Sequence, residues 1–305
     1  MNGPATAPSS HPAPPLSIRA QAVEAAIHES LSLLAQTLQV QASAATTHRT
    51  LLVSGWNASA AVRQAIARYL VGLRVSAVNA ALQVRAELTD TPTDQAEIVT
   101  NVEAIVGVNG AGLTQEQIER HRNPWIAEAI WHLCLALAQR MPHLHPPGNL
   151  VALNLPHAEA TEHGLDVAAI YEIDGGFGLS IVETKAYPNR PSDAISHSAG
   201  FFRKVDQGLG NLPLKIRQTI QRMRADLPEA MQGRIKEFLW RQNRSYLPNP
   251  HYDDQNVVVW TNARPSLDGL FPGPGGIIIM PHAVTAFTEY FDAIATEMLV
   301  FARSL

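Results

Sequence analysis

Three residues of this chain have types and spacing that could do chemistry on a phosphate: Asp166, Glu183 and Lys185. They fall in GLDVAAIYEIDGGFGLSIVETKAY, residues 164–187, where two runs of alternating apolar and β-branched residues flank Asp174-Gly175-Gly176-Phe177-Gly178. A Gly-Gly centre between such runs signals a tight hairpin, so an antiparallel pair is expected over 165–173 and 178–187. Side chains alternate along a strand, which puts Leu179, Ile181, Glu183, Lys185 and Tyr187 on one face and Ser180, Val182, Thr184 and Ala186 on the other. With Gly175 and Gly176 at the centre of the turn, Asp166 lies opposite Lys185 and diagonal to Glu183, and such neighbours are about 5 to 8 Å apart. Two carboxylates meeting at one point repel unless a cation stands between them, and oxygen ligands suit Mg²⁺ or Mn²⁺. A metal held there polarises a phosphoryl oxygen and turns bound water into a nucleophile, while Lys185 orients that water or offsets charge on the phosphate. The plainer alternative is an exposed strand with Glu183 and Lys185 side by side in water and Asp166 in a turn. Against it, both faces of 179–187 are largely apolar, as in a strand covered on both sides, where charges are seldom left without a task.

Asp166, followed across a hairpin by Glu183-Thr184-Lys185, resembles the PD-(D/E)xK nuclease superfamily over about residues 122–262. The resemblance implies an α/β protein with the restriction-endonuclease-like αβββαβ core, a mixed sheet flanked by helices. It also implies a metal-dependent nuclease that hydrolyses phosphodiester bonds of nucleic acid, with DNA favoured. In that family the Asp, the Glu and the carbonyl of the residue after the Glu hold Mg²⁺ or Mn²⁺, here Asp166, Glu183 and Thr184, and the Lys, here Lys185, serves the attacking water. Leu165 stands where the name-giving Pro would be. Many of these nucleases add a metal-facing Glu from the helix before the sheet, and Glu128 has the matching place in the order of elements. Its other reading is an acid in a first turn, favoured by the helix dipole. More loosely, a helical N-terminal half followed by one nuclease core is similar to the nuclease subunits of Hachiman-type anti-phage defence systems, which partner a helicase. The competing function is a catalytically silent nucleic-acid-binding or scaffold subunit of a larger complex.

The elements that must position these residues follow from pattern. Residues 1–15 are a Pro/Ala/Ser-rich tail expected to be disordered. Residues 16–113 read as a helical N-terminal region, with helices over 16 to about 45 and from Ser59 to about Leu88, then loop and linker over 89–113. The nuclease-like domain spans 114–305. Thr114-x-x-Gln117 is a capping box, and NPWIAEAIWHLCLALAQR, residues 123–140, is an almost wholly apolar helix with Pro124 in its first turn. A first strand is expected at 149–155. After the hairpin come helices at 193–207, 213–225 and 228–243, a central parallel strand at 256–262, a short strand near 275–280 and a closing helix at 282–303.

Composition narrows the rest. A chain of 305 residues with 46% hydrophobic and 16% charged residues has ample core for a globular fold. One cysteine, Cys134, excludes an internal disulfide framework and points to a reducing cytoplasm. Neither a membrane span nor a signal peptide is expected. The net charge of −4 speaks against a coat for nucleic acid, yet from Arg203 to Arg244 ten Lys or Arg stand against four Asp or Glu, a local excess of six. Arg203 and Lys204, with His197 and Gln207, are therefore candidates for backbone contacts. His143 and His145 could ligate zinc only with a third ligand that the spacing does not supply. No G-x-S-x-G or P-loop is present.

Overall fold

The computed structural model describes residues 18–83, 95–108, 112–144, 147–157 and 165–305. The expected tail 1–15 and His145 lie outside them.

The N-terminal region begins with α1 (Ile18–Thr37) and then departs from the expected helices: β1 (Gln39–Ala44) and β2 (Arg49–Ser54) form an antiparallel hairpin. Leu51 and Val53 on β2 are buried, and a period of two over six residues is swamped by the longer helical stripe before it. Next come α2 (Ala60–Gln83) and α3 (Gln95–Val106). The helix α3 replaces the linker expected over 89–113, because Ile98, Val102, Ile105 and Val106 make one buried stripe at helical spacing. The capping box forms as expected: Thr114 and Gln117 exchange both bonds at the start of α4 (Gln115–Gln117). A π-helical turn, Ile118–Arg122, leads into α5 (Asn123–Leu137), with Pro124 in its first turn and almost every residue buried.

The central sheet has five strands in the order β3-β4-β5-β6-β8. β3 (Asn149–Leu153), β4 (Val167–Ile173) and β5 (Gly176–Ala186) run antiparallel to one another in sequence. After β5 come α6 (Pro191–Gln207), α7 (Leu212–Ala225) and two single turns, α8 (Glu229–Gln232) and α9 (Leu239–Gln242). The short turns stand where one helix was expected at 228–243. Next, β6 (Arg244–Asp253) pairs parallel with β5 over eight residue pairs. β7 (Ile278–Ile279) joins β2 in a small second sheet, β8 (His282–Val284) pairs parallel with β6, and α10 (Phe287–Ser304) closes the chain.

The central parallel strand is thus 244–253 and not 256–262. Residues 256–262 are a loop, with Val257 91% and Val259 56% exposed. Pro248 and Pro250 conceal β6 from a pattern reading, since proline cannot donate to a ladder. The strand tolerates them because even-numbered residues turn their backbone away from β5: Tyr246 N–H donates to Gly276 and the Pro248 carbonyl accepts from Met280. The odd-numbered residues face β5, as in the bond from Leu179 N–H to the Asn243 carbonyl.

Alternation along β4 and β5 feeds two cores. Val167, Ala169 and Val182 pack with α2, α5 and α10, while Ala168, Ile170, Leu179 and Ile181 pack with α6 and α7. A strand covered on both faces explains the continuous apolar run, and burial of each Leu, Ile or Val contributes about 1.5 to 3 kcal/mol. The fold is therefore mixed α/β, with helices on both sides of a mixed sheet. Among the described residues no helix is long and apolar enough to cross a membrane.

Candidate active site

The β4–β5 turn sets the register of the site. Ile173 pairs with Gly176, so the two central residues are Asp174 and Gly175, with φ of 51° and 75°. Two left-handed residues make the turn whose twist matches that of the strands, and Asp-Gly suits it better than the expected Gly-Gly. The pairing shifts by two: Val167 lies opposite Val182, which carries Asp166 toward Glu183 instead of Lys185. The Asp166 carboxylate then accepts the Thr184 N–H at 2.8 Å. This bond anchors the start of β4 to the stretch of β5 that carries the other two residues.

Lys185 turns back along its own strand. Its Nζ donates to Glu183 Oε1 at 2.5 Å and to the Thr184 carbonyl at 3.1 Å. The ammonium group thus occupies the point where a Glu183 oxygen and the Thr184 carbonyl converge. Glu128 reaches the same neighbourhood from α5. It is buried, its Oε1 has no hydrogen-bond partner, and His157 Nδ1 stands 3.6 Å from that oxygen, beyond hydrogen-bond range. The His157 backbone N–H serves the carboxyl, and the His157 carbonyl accepts the Trp125 indole N–H at 3.1 Å, tying this segment to α5.

The charges register one another. Burial first, then the fields of Asp166 and Glu183, raise Glu128 well above the usual carboxylate range. Burial, then Asp166, push Glu183 up to about 8 against the pull of Lys185. Asp166 is also raised by burial, less the effects of Lys185 and the Thr184 N–H. For Lys185, burial works downward but Glu183 and Asp166 outweigh it, so the ammonium form is favoured. The three carboxyls in this confined space therefore hold protons at a pH where they would lose them in water.

The donor set fits a hard divalent cation: oxygen donors only, one of them a buried acceptor without a hydrogen bond, and carboxyls that burial keeps protonated and added positive charge would ionise. Among the described residues no group of three or more His, Cys, Asp or Glu side chains is already gathered at ligating distance. Lys185 fills part of that space.

The basic segment is spent differently from the expectation. The Arg203 guanidinium donates to the carbonyls of Ser266 and Asp268, Arg217 pairs with Glu237, Arg234 with Glu172 and Arg244 with Asp206. Arg234 and Arg244 tie their surroundings to the sheet, while Arg203 and Arg217 tie helices to loop segments. Lys204 differs: it is exposed, and its charge reaches Glu183. His143 lies in the turn Pro142–Leu144, away from any gathered ligand set. Sequence reasoning missed His157, whose approach to Glu128 depends on a loop path that no spacing encodes. It also missed the bond between Tyr187 Oη and His197 Nδ1, 2.8 Å long, across the Pro188–Arg190 turn. No protein-family model matches the chain, and no curated protein matches it.

Proposed function

We propose that this chain is a metal-dependent nuclease with a restriction-endonuclease-like core, acting on phosphodiester bonds of nucleic acid and preferentially of DNA. The observation that carries the reading is the meeting of Asp166, Glu183 and Lys185 at one end of the β4–β5 pair, with the partnerless Glu128 oxygen beside them. The order α5-β3-β4-β5-α6-β6, with β5 and β6 parallel, supports it as the order expected of an αβββαβ core.

Asp166, Glu183, Glu128 and the Thr184 carbonyl would hold Mg²⁺ or Mn²⁺. When bound, the metal supplies Lewis-acid polarisation of the phosphate and a water of lowered pKa. Glu183 and Asp166 contribute their carboxylates from a rigid strand pair, and a bound cation would replace the Lys185 ammonium at Glu183 Oε1. Lys185, released from Glu183, donates hydrogen bonds to the attacking water and offsets charge growing on the phosphoryl oxygens. The Thr184 N–H keeps one Asp166 oxygen fixed and so leaves the other free to turn toward the substrate side. Asp166, Glu183 and Lys185 are the catalytic residues of this reading, and partnership with a helicase in an anti-phage complex is its cellular extension.

The test is cleavage of plasmid and linear DNA by purified protein with and without Mg²⁺, beside Glu183→Ala and Lys185→Ala. Nicking or degradation that needs the metal and is lost in both variants supports the reading. Wild-type protein that binds DNA but leaves it intact in Mg²⁺ or Mn²⁺ selects the catalytically silent scaffold instead.

A further inference from the structure

One face of α6 is built in a way that packing does not explain. The helix buries Ala194, Ile195, Ser198, Ala199, Phe202 and Val205 against the sheet. On the opposite side, His197, Gly200 and Lys204 follow at intervals of three and four, so they form one strip. Gly200 sits mid-helix, where glycine weakens a helix relative to alanine. A Cβ built at Gly200 meets nothing within 4 Å. No neighbouring element therefore fills the space over Gly200, and the bare helix backbone there is open to a ligand.

The ends of the strip say what. At one end His197 is exposed and hydrogen-bonded through Nδ1 to Tyr187 Oη, with the two rings edge to face at 5.5 Å between centroids. Tyr187 lies two residues beyond Lys185, and so on the same side of the strand. With the Tyr187 hydroxyl donating to Nδ1, the second imidazole nitrogen carries an N–H that a phosphate oxygen can accept. At the other end Lys204 presents an ammonium group within the electrostatic reach of Glu183. A hydrogen-bonding pair, a bare stretch of helix and a cation, arranged in line beside the carboxylates, match a sugar–phosphate backbone. Phosphates fix position and register by such contacts without reading sequence.

We infer that the strip from His197 over Gly200 to Lys204, flanked by Tyr187, seats the backbone of a nucleic-acid strand as it passes the carboxylates. The inference rests on the nuclease reading for its substrate class, but it concerns binding and is tested apart from cleavage. The ribose and phosphate lie over Gly200, with one phosphate at His197 and the next group along at Lys204.

Binding of a fluorescein-labelled DNA oligonucleotide is followed by anisotropy without divalent metal, over a range of salt, for wild type, Gly200→Leu, His197→Ala and Lys204→Ala. Cleavage in Mg²⁺ is measured in parallel. Gly200→Leu is expected to keep or raise the wild-type Tm and to weaken binding at least tenfold. Lys204→Ala is expected to lower the slope of log affinity against log salt by about 0.7 to 0.9, the share of one phosphate contact. Folded Gly200→Leu that binds as tightly as a cleaving wild type overturns the strip and leaves the nuclease reading standing. Wild-type binding that the strip variants weaken, without any cleavage, keeps the strip and overturns the nuclease. Wild-type protein that neither binds nor cleaves overturns both. Should Gly200→Leu melt early, Lys204→Ala decides by the same salt slope and His197→Ala by affinity at fixed salt, and wild-type values in both overturn the strip.

Discussion

The central sheet carries two buried polar clusters that solve the same problem in opposite ways. On β6 and β8, His251 stacks on His282 with ring centroids 4.4 Å apart; His251 Nε2 meets Asn249 Oδ1 at 2.7 Å, the Asn249 amide donates to the Met280 carbonyl, and His282 meets Tyr290 Oη at 3.3 Å. Burial lowers both histidines, His282 to about 3, so this cluster is neutral and nearly self-satisfied, with only His251 Nδ1 lacking a partner. At the end of β4 and β5, burial instead raises three carboxyls that crowd one another around a single Lys. A neutral hydrogen-bonded cluster is sufficient for a fold, whereas buried carboxyls with raised pKa around one Lys are the kind of group found at functional sites, and on the proposed reading they await a cation.

The contrast can be broken by substitution. The largest effect is expected on chemistry: Asp166→Ala, Glu183→Ala or Lys185→Ala lowers the cleavage rate at least about 100-fold, in line with the several kcal/mol of charge stabilisation assigned to a metal site. Asn249→Ala leaves cleavage per folded molecule unchanged. Next, Mg²⁺ or Mn²⁺ at 100 times its Kd stabilises the wild type by about 2.7 kcal/mol, read as a rise in Tm, and Glu183→Ala abolishes the rise. Asn249→Ala, which strands His251 Nε2 and the Met280 carbonyl, costs about 2 kcal/mol in urea unfolding and leaves the metal-dependent rise intact.

The pH dependence of stability distinguishes the clusters by sign. His282 is neutral in the fold and binds a proton near pH 6.5 when unfolded, so its contribution is fully present above 6.5. It is lost as pH falls toward 3, at about 1.4 kcal/mol per pH unit. Glu183 is held protonated, so its contribution is present below its ordinary value of 4.5 and is lost as pH rises toward 8. Urea unfolding of metal-free protein across this range should show both limbs, and saturating divalent metal should flatten only the alkaline one.

The part of the site carried by one hairpin could be read from residues alone. Glu183 and Lys185 two apart on an apolar strand, and Asp166 at the far end of a Gly-rich turn, are consequences of strand period and local turn chemistry. The exact register was not accessible, because Asp174-Gly175 and Gly175-Gly176 both suit a two-residue turn, and only pairing across the whole hairpin decides between them. The helix α5 and its Glu128 could be placed by apolar content and order, but the surroundings of Glu128, served by the His157 N–H and with Oε1 lacking a hydrogen bond, depend on the 147–157 segment folding against it. Elsewhere the reading failed where local preference and tertiary context conflict. Pro248 and Pro250 hide a central strand, Val257 to Val259 imitate one in an exposed loop, and the short strands β1 and β2 are masked by the helical stripe of α1. The basic run 203–244 is legible as charge, but its partners Glu172, Asp206 and Glu237 are distant in sequence or already counted as background acids.

The most direct test of the central claim is a crystal structure of the protein grown with Mn²⁺, using anomalous scattering to locate the ion. The account predicts a peak between the carboxylates of Asp166 and Glu183, within ligating distance of the Thr184 carbonyl and Glu128, with Lys185 swung off Glu183 Oε1. Absence of a peak there at saturating Mn²⁺, with the Lys185–Glu183 bond unbroken, would contradict it.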